Sequence, residues 1–240
     1  MRITKAQWAW IIIAFIVLAL AAAFLIYAED YYHASEGALE GTEAGSVKPD
    51  YNAGVLEYVP QGAETGFVFY PGGKVEFSAY AALCDAIAEK GVAVFIPRMP
   101  FNLAVFNINS ADEIMARYPE IKNWYIGGHS LGGAMAAVYA ESHAESLEGL
   151  VLLGAYSTSD LKDSGLKVLT VYGSQDMVLN REKYDKYRSN LPEDTVEIVI
   201  DGGCHSFFGD YGMQAGDGTP SITRKDQQER TVSAFLDLAA

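Results

Sequence analysis

The chain has 240 residues, half of them apolar and a fifth charged, which is enough for one sizeable core and short for two independent domains. Its 31 acidic residues against 17 basic ones leave a formal charge of -14, a balance that repels phosphate backbones and excludes nucleic acid as a partner. The two cysteines, Cys84 and Cys204, make no disulfide framework. The four histidines, His33, His129, His143 and His205, show no HxH or HExxH spacing, so neither a metal nor an organic cofactor is expected.

Trp8 to Ala28 is a run of 21 residues without a charge, and about 20 apolar residues suffice for a helix to cross a bilayer. Arg2 and Lys5 precede it, whereas Glu29, Asp30, Glu36, Glu40 and Glu43 follow it before the first basic residue, Lys48. The positive-inside bias then leaves residues 1–7 as a cytoplasmic tail and 8–28 as a single-pass anchor in the cell membrane, with the remainder exported. A cleavable signal peptide competes, because Ala21 to Ala23 offers small residues. The apolar run nevertheless continues through Phe24, Leu25 and Ile26, past the roughly 7 to 15 residues of a signal core. Residues 29–50 are acidic, without apolar periodicity, and read as a juxtamembrane stalk. The folded domain is expected over 51–240.

Within that domain short apolar runs alternate with helical spacing. Gly66 to Tyr70 predicts a strand, Ser78 to Lys90 a helix, Val92 to Ile96 a strand and Ala111 to Tyr118 a helix. Asn123 to Ile126 then predicts a strand, Leu131 to Ser142 a helix, and Leu150 to Leu153 and Val168 to Tyr172 two strands. Lys183 to Ser189 follows as a helix, Val196 to Ile200 as a strand and Asp226 to Leu238 as the last helix. Strands this short and uniformly apolar suit burial on both faces, so the pattern predicts an α/β fold with a doubly wound, mostly parallel sheet and helices on both sides. Ligands in such sheets bind beyond the carboxyl ends of the strands, which directs attention to the residues just after each strand.

Gly128, His129, Ser130, Leu131 and Gly132 spell G-x-S-x-G between a predicted strand and a predicted helix. A serine on so sharp a turn projects above the sheet edge, and the glycines let neighbouring main chain come close. Ser130 is therefore the candidate nucleophile and the Leu131 amide, at the helix start, a candidate oxyanion donor. His129 reads as a structural neighbour. A serine hydroxyl needs a base, and the base needs a group that fixes its tautomer. Asp176 follows the strand Val168 to Tyr172 and His205 follows Val196 to Ile200, giving the order Ser, Asp, His; Asp201 and Asp160 compete for the acid role. Gly73, in the Tyr70 to Lys74 turn after the first strand, is the candidate second oxyanion donor, with a plain tight turn as the competing reading. G-x-G-x-x-G and GK[ST] are both missing here, which argues against a dinucleotide site or a P-loop.

With these residues in view, the chain resembles the α/β-hydrolase superfamily over about Ala53 to Leu238, and within it the small branch without a large cap that is related to dienelactone hydrolases. YPGGKV at Tyr70 to Val75, GGHSLGG at Gly127 to Gly133 and GCHSFFGDYGMQAGDG at Gly203 to Gly218 look like a group of exported bacterial hydrolases. The resemblance implies Ser130 as nucleophile, Asp176 as acid, His205 as base, and Leu131 and Gly73 as oxyanion donors. Two departures stand out. Dienelactone hydrolases carry cysteine where this chain has Ser130, and the usual His-Gly of the oxyanion loop is Pro71-Gly72 here.

The expected activity is cleavage of a carboxylic ester or related acyl bond of a small-molecule or envelope-derived substrate through an acyl-serine. Transfer to a cell-envelope acceptor, thioester cleavage, or a non-catalytic binding role on the same fold are the alternatives. Gly154 to Lys167 is too short for a multi-helix lid. The loops at Arg98 to Asn109 and Phe207 to Thr223 carry Phe101, Leu103, Phe106, Phe207, Phe208 and Tyr211, which either line a modest acyl pocket or pack the loops onto the domain.

Overall fold

A computed structural model describes residues 4–39 and 49–240. Residues 1–3 of the expected tail and 40–48 of the expected stalk lie outside the described residues. The chain divides into two compact units, Met1–Tyr31 and Tyr32–Ala240.

The first unit is one helix, α1 (Lys5–Glu29), of 25 residues. Thr4 starts it with a capping box: its hydroxyl accepts from the Gln7 N–H while the Gln7 side chain accepts from the Thr4 N–H. The helix is apolar around its whole circumference, the pattern of a segment with no aqueous face. Its length and composition fit a membrane span, and a signal sequence passes the same test.

The second unit is built on an eight-stranded sheet of order β1-β2-β4-β3-β5-β6-β7-β8. The strands are β1 (Asp50–Asn52), β2 (Val55–Tyr58), β3 (Thr65–Tyr70), β4 (Ala93–Pro97), β5 (Asn123–His129), β6 (Gly149–Leu153), β7 (Lys167–Gly173) and β8 (Val196–Ile200). From β4 to β8 all neighbours are parallel, while β1, β2 and β4 pair antiparallel. The hairpin of β1 and β2 is absent from the sequence reading. Its turn is Ala53-Gly54 with φ of 49° and 82°, a conformation that two-residue hairpins require but that alanine seldom signals.

Among the described residues, five α-helices complete the unit: α2 (Ala81–Ala88), α3 (Ser110–Arg117), α4 (Leu131–His143), α5 (Arg181–Tyr187) and α6 (Arg224–Ala239). Alternation along the central strands sends side chains to opposite faces. Phe67 and Phe69 join Leu83 and Ile87 of α2 and Val232 and Phe235 of α6 in one buried cluster. Val68 and Tyr70 join Ile114 of α3 and Ala136, Ala137 and Ala140 of α4 in another. At about 1.5–3 kcal/mol for each large apolar side chain removed from water, these two layers hold the sheet between helices. The β6 to β7 connection contains no helix, in line with the expected lack of a large cap.

Tyr32 to Leu39, which fall within the expected stalk, lie in the second unit. Tyr32 forms a parallel bridge with Val75. Its N–H donates to Lys74 O at 2.7 Å and its carbonyl accepts from the Glu76 N–H at 2.9 Å. The Ser35 N–H donates to Asp210 O at 2.8 Å and the Ala215 N–H to the Tyr32 hydroxyl at 3.0 Å. Residues 32–35 thus tie together the loops after β3 and β8.

Candidate active site

Ser130 joins β5 to α4 with φ 52° and ψ -121°, a strained conformation for a residue with a side chain. Its N–H donates to Leu153 O at 2.9 Å, which fixes the turn against β6. The flanking glycines are sterically required. A Cβ on either Gly128 or Gly132 would run into the Tyr70 carbonyl oxygen at the end of β3. Leu131 is the first residue of α4, so its N–H has no partner within the helix.

The loops after β7 and β8 bring Asp176 and His205 together. Asp176 Oδ2 accepts from His205 Nδ1 at 2.8 Å, with both side chains at most 1% exposed. Asp176 Oδ1 accepts from the N–H groups of Val178 and Leu179 at 3.0 and 2.8 Å, which orients the carboxylate. That arrangement leaves His205 Nε2 buried without a hydrogen-bond partner. His205 and Ser130 line the same cavity. Asp201 is exposed and accepts from the Ser174 hydroxyl at 3.2 Å, and Asp160 is exposed and accepts from the Lys162 N–H at 3.2 Å. The structure brings neither to the imidazole.

The loop after β3 passes beside the serine turn. A Cβ on Gly73 would lie 2.9 Å from Leu131 Cδ2, so Gly73 abuts the first turn of α4. The Gly72 N–H donates to the Tyr80 hydroxyl at 3.0 Å, and that hydroxyl lies 2.8 Å from His129 Nδ1. His129 is fully buried, with its ring centroid 4.3 Å from that of His205. Burial, together with the charge His205 would carry, pushes its pKa well below the usual histidine value and keeps it neutral.

A family model described as the alpha/beta hydrolase family matches residues 66–229. The chain belongs to this family. No curated protein sequence matches the hydrolase. Solved structures share its fold. Dienelactone hydrolase from Anabaena variabilis is 15% identical with a TM-score of 0.58, over 80% of this chain and 93% of that one. Est1E from Butyrivibrio proteoclasticus is 14% identical with a TM-score of 0.57, over 81% and 99%. The monoacylglycerol lipase of Paleococcus ferrophilus is 13% identical with a TM-score of 0.60, over 77% and 98%.

Around its central pair the hydrolase carries supports that the sequence reading does not contain. Gln227, fully buried on α6, accepts from the Cys204 N–H at 2.9 Å and donates to Cys204 O at 2.8 Å, clamping the residue before His205. Asp217 accepts from the N–H groups of His205, Ser206 and Gly218 at 3.2, 2.8 and 2.9 Å and from the Ser206 hydroxyl at 2.6 Å. It also accepts from the Met177 N–H at 3.4 Å, which links the His205 loop to that of Asp176. Burial alone would raise the Asp217 pKa, but these bonds, led by that of the Ser206 hydroxyl, hold it below the usual carboxylate range. Cys204 is buried and its thiol is pushed up to about 12, chiefly by burial, which keeps it protonated. The glycines on either side, Gly216 and Gly218, are a sequence signal for Asp217; nothing in the sequence marks Gln227.

The cavity at Ser130 has a volume of about 260 Å³ and is lined by Leu131, Ala134, Gly154 to Tyr156, Val178 to Asn180 and His205. Among the described residues, no carboxylate, ammonium or guanidinium group lines it. The loop aromatics are not among its lining residues, and of the two readings open for them packing onto the domain holds for Phe208 and Tyr211. Phe208 and Tyr211 are buried in the core layer beneath α2 and α6. Phe101 and Phe106 are exposed and meet edge to face at 5.7 Å, and Phe207 lies under the Arg224 guanidinium at 5.3 Å.

Proposed function

We propose that the hydrolase cleaves uncharged carboxylic esters through an acyl-Ser130 intermediate, without metal or organic cofactor. The observation that carries this reading is the unpartnered His205 Nε2, held by the Asp176 bond on the other ring nitrogen and sharing a cavity with a strained serine. In the proposed cycle Ser130 Oγ attacks the ester carbonyl as its proton passes to His205 Nε2. Asp176 stabilises the imidazolium and fixes the tautomer. The N–H groups of Leu131 and Gly73 receive the tetrahedral oxyanion. Collapse breaks the carbonyl to alkoxy bond, and the alcohol leaves with the proton from His205. Water, deprotonated by the same nitrogen, then attacks the acyl-enzyme, releasing the acid and restoring Ser130.

The uncharged lining of the cavity favours a neutral substrate, and the chain's charge of -14 disfavours an anionic one. A fluorophosphonate probe should label wild type and not Ser130→Ala, with ester hydrolysis lost in parallel. Equal labelling of both would remove the nucleophile assignment, and no labelling of the wild type would favour a binding role.

For location, we propose that α1 remains uncleaved as a single-pass anchor in the cell membrane with Tyr32–Ala240 outside the cytoplasm. The charge asymmetry across α1 supports the orientation. Protease added to intact cells should digest the second unit. Protection would reverse the orientation, and a shortened soluble product would favour signal cleavage.

A further inference from the structure

We infer that Tyr80 is a positioning residue for the proposed reaction, joining the oxyanion loop to the general base through His129. This inference rests on the acyl-serine reading above and adds a group that the reading itself does not require.

The hydroxyl of Tyr80 is fully buried and has two neighbours, the Gly72 N–H at 3.0 Å and His129 Nδ1 at 2.8 Å. Of these two neighbours only His129 Nδ1 can accept, so the hydroxyl proton is assigned to it while the oxygen accepts from Gly72. This assignment makes the imidazole the neutral tautomer with its proton on Nε2, an atom that is buried without a hydrogen-bond partner. Two consequences follow for the site. Gly72, the glycine nearer the end of β3, has its N–H committed to Tyr80 and cannot also serve an oxyanion, so that task falls to the Gly73 N–H beside Leu131. His129, locked by the same hydroxyl, presents a ring of fixed orientation 4.3 Å from the ring of His205. A Cβ at Gly72 would lie 2.6 Å from the Tyr80 hydroxyl and 2.8 Å from His129 Nδ1, so the three groups meet without spare room.

A buried tyrosine in an ordinary core needs one partner for its hydroxyl. Tyr80 instead joins the loop after β3 to His129, the last residue of β5, which directly precedes Ser130 and packs its ring against that of His205. Its contribution should therefore appear in the transition state more than in substrate binding.

The test uses full-length Tyr80→Phe in detergent, with p-nitrophenyl acetate as substrate and an aliphatic trifluoromethyl ketone as transition-state mimic. The expected result is a kcat lower by about 10- to 100-fold with KM within about threefold, since an oxyanion donor moved out of place costs somewhat less than one removed. Affinity for the ketone, whose adduct places an alkoxide among the oxyanion donors, should fall by the same factor as kcat. Retention of kcat within about twofold, or a fall in kcat without loss of ketone affinity, would show that Tyr80 only fills space. If Tyr80→Phe does not fold, imidazole nitrogen NMR of the wild type decides. The neutral Nε2–H form of His129 supports the inference and the Nδ1–H form overturns it. Failure of the underlying reading is separately visible, because wild type would then resist the fluorophosphonate probe.

Discussion

Gly154 leaves open the space into which His205 turns to meet Asp176: a Cβ on Gly154 would lie 2.9 Å from His205 Nδ1 and 3.2 Å from Asp176 Oδ2. Gly154 also has φ 53°, where any side chain adds strain. Gly154→Ala should therefore lower kcat by about 10- to 100-fold through a displaced imidazole, with little change in thermal stability beyond about 1–2 kcal/mol. Steady-state kinetics and a melting curve check this. Unchanged kcat would mean that the imidazole can shift without cost to the reaction.

Asp176 and Asp201 offer a direct contrast, because only Asp176 reaches His205. Asp176→Asn should reduce kcat by about 10³- to 10⁴-fold, as loss of the tautomer-fixing charge does in serine triads. Asp201→Asn should stay within about threefold, since it loses only an exposed bond from Ser174. The reverse order of severity would transfer the acid role to Asp201.

Asp217 predicts a pH dependence with a definite sign. Its folded pKa is depressed, because the bonds from Ser206, His205 and Gly218 outweigh burial. Its stabilisation of the His205 loop is thus complete above the ordinary carboxylate pKa of about 4 and disappears as pH falls through the lower folded value. The difference in melting temperature between wild type and Asp217→Asn should be constant from neutral pH down to about 5 and shrink only below about 4. A difference already shrinking between pH 7 and 5 would contradict the assignment.

Substrate size follows from the cavity at Ser130, whose volume of about 260 Å³ falls below the roughly 300–1,000 Å³ of drug-sized pockets. Rates on p-nitrophenyl esters should peak at short acyl chains, with no jump when substrate passes its micelle threshold. A rate that climbs to long chains would show that the cavity opens further than its lining suggests.

The sheet was legible because its strands from β3 onward carry short apolar runs and, except between β6 and β7, are separated by helices. Ser130, Asp176 and His205 were legible as candidates because each follows such a strand, and the structure places Asp176 on His205 and His205 in the cavity that Ser130 lines. The supports were not. Tyr80 and Gln227 sit on helices among core residues, and only tertiary packing shows that their polar atoms grip the loops after β3 and β8. The aromatics of the Phe207 to Thr223 loop stayed open between pocket and packing for the same reason, since composition does not say which face of a loop turns inward. The β1 to β2 hairpin stayed hidden behind an alanine at positive φ.

The bridge between Tyr32 and Val75 bears on where the hydrolase can be cut for laboratory use. A soluble fragment started at β1, near the expected end of the stalk, would discard Tyr32 to Ser35 and strip Lys74 O, the Glu76 N–H and Asp210 O of their partners. Started after Glu29, it keeps all three and the bond from Ala215 to the Tyr32 hydroxyl. A fragment of the first kind would report the behaviour of a loosened loop beside Gly73, and a weak esterase measured on it would reflect the scissors more than the enzyme.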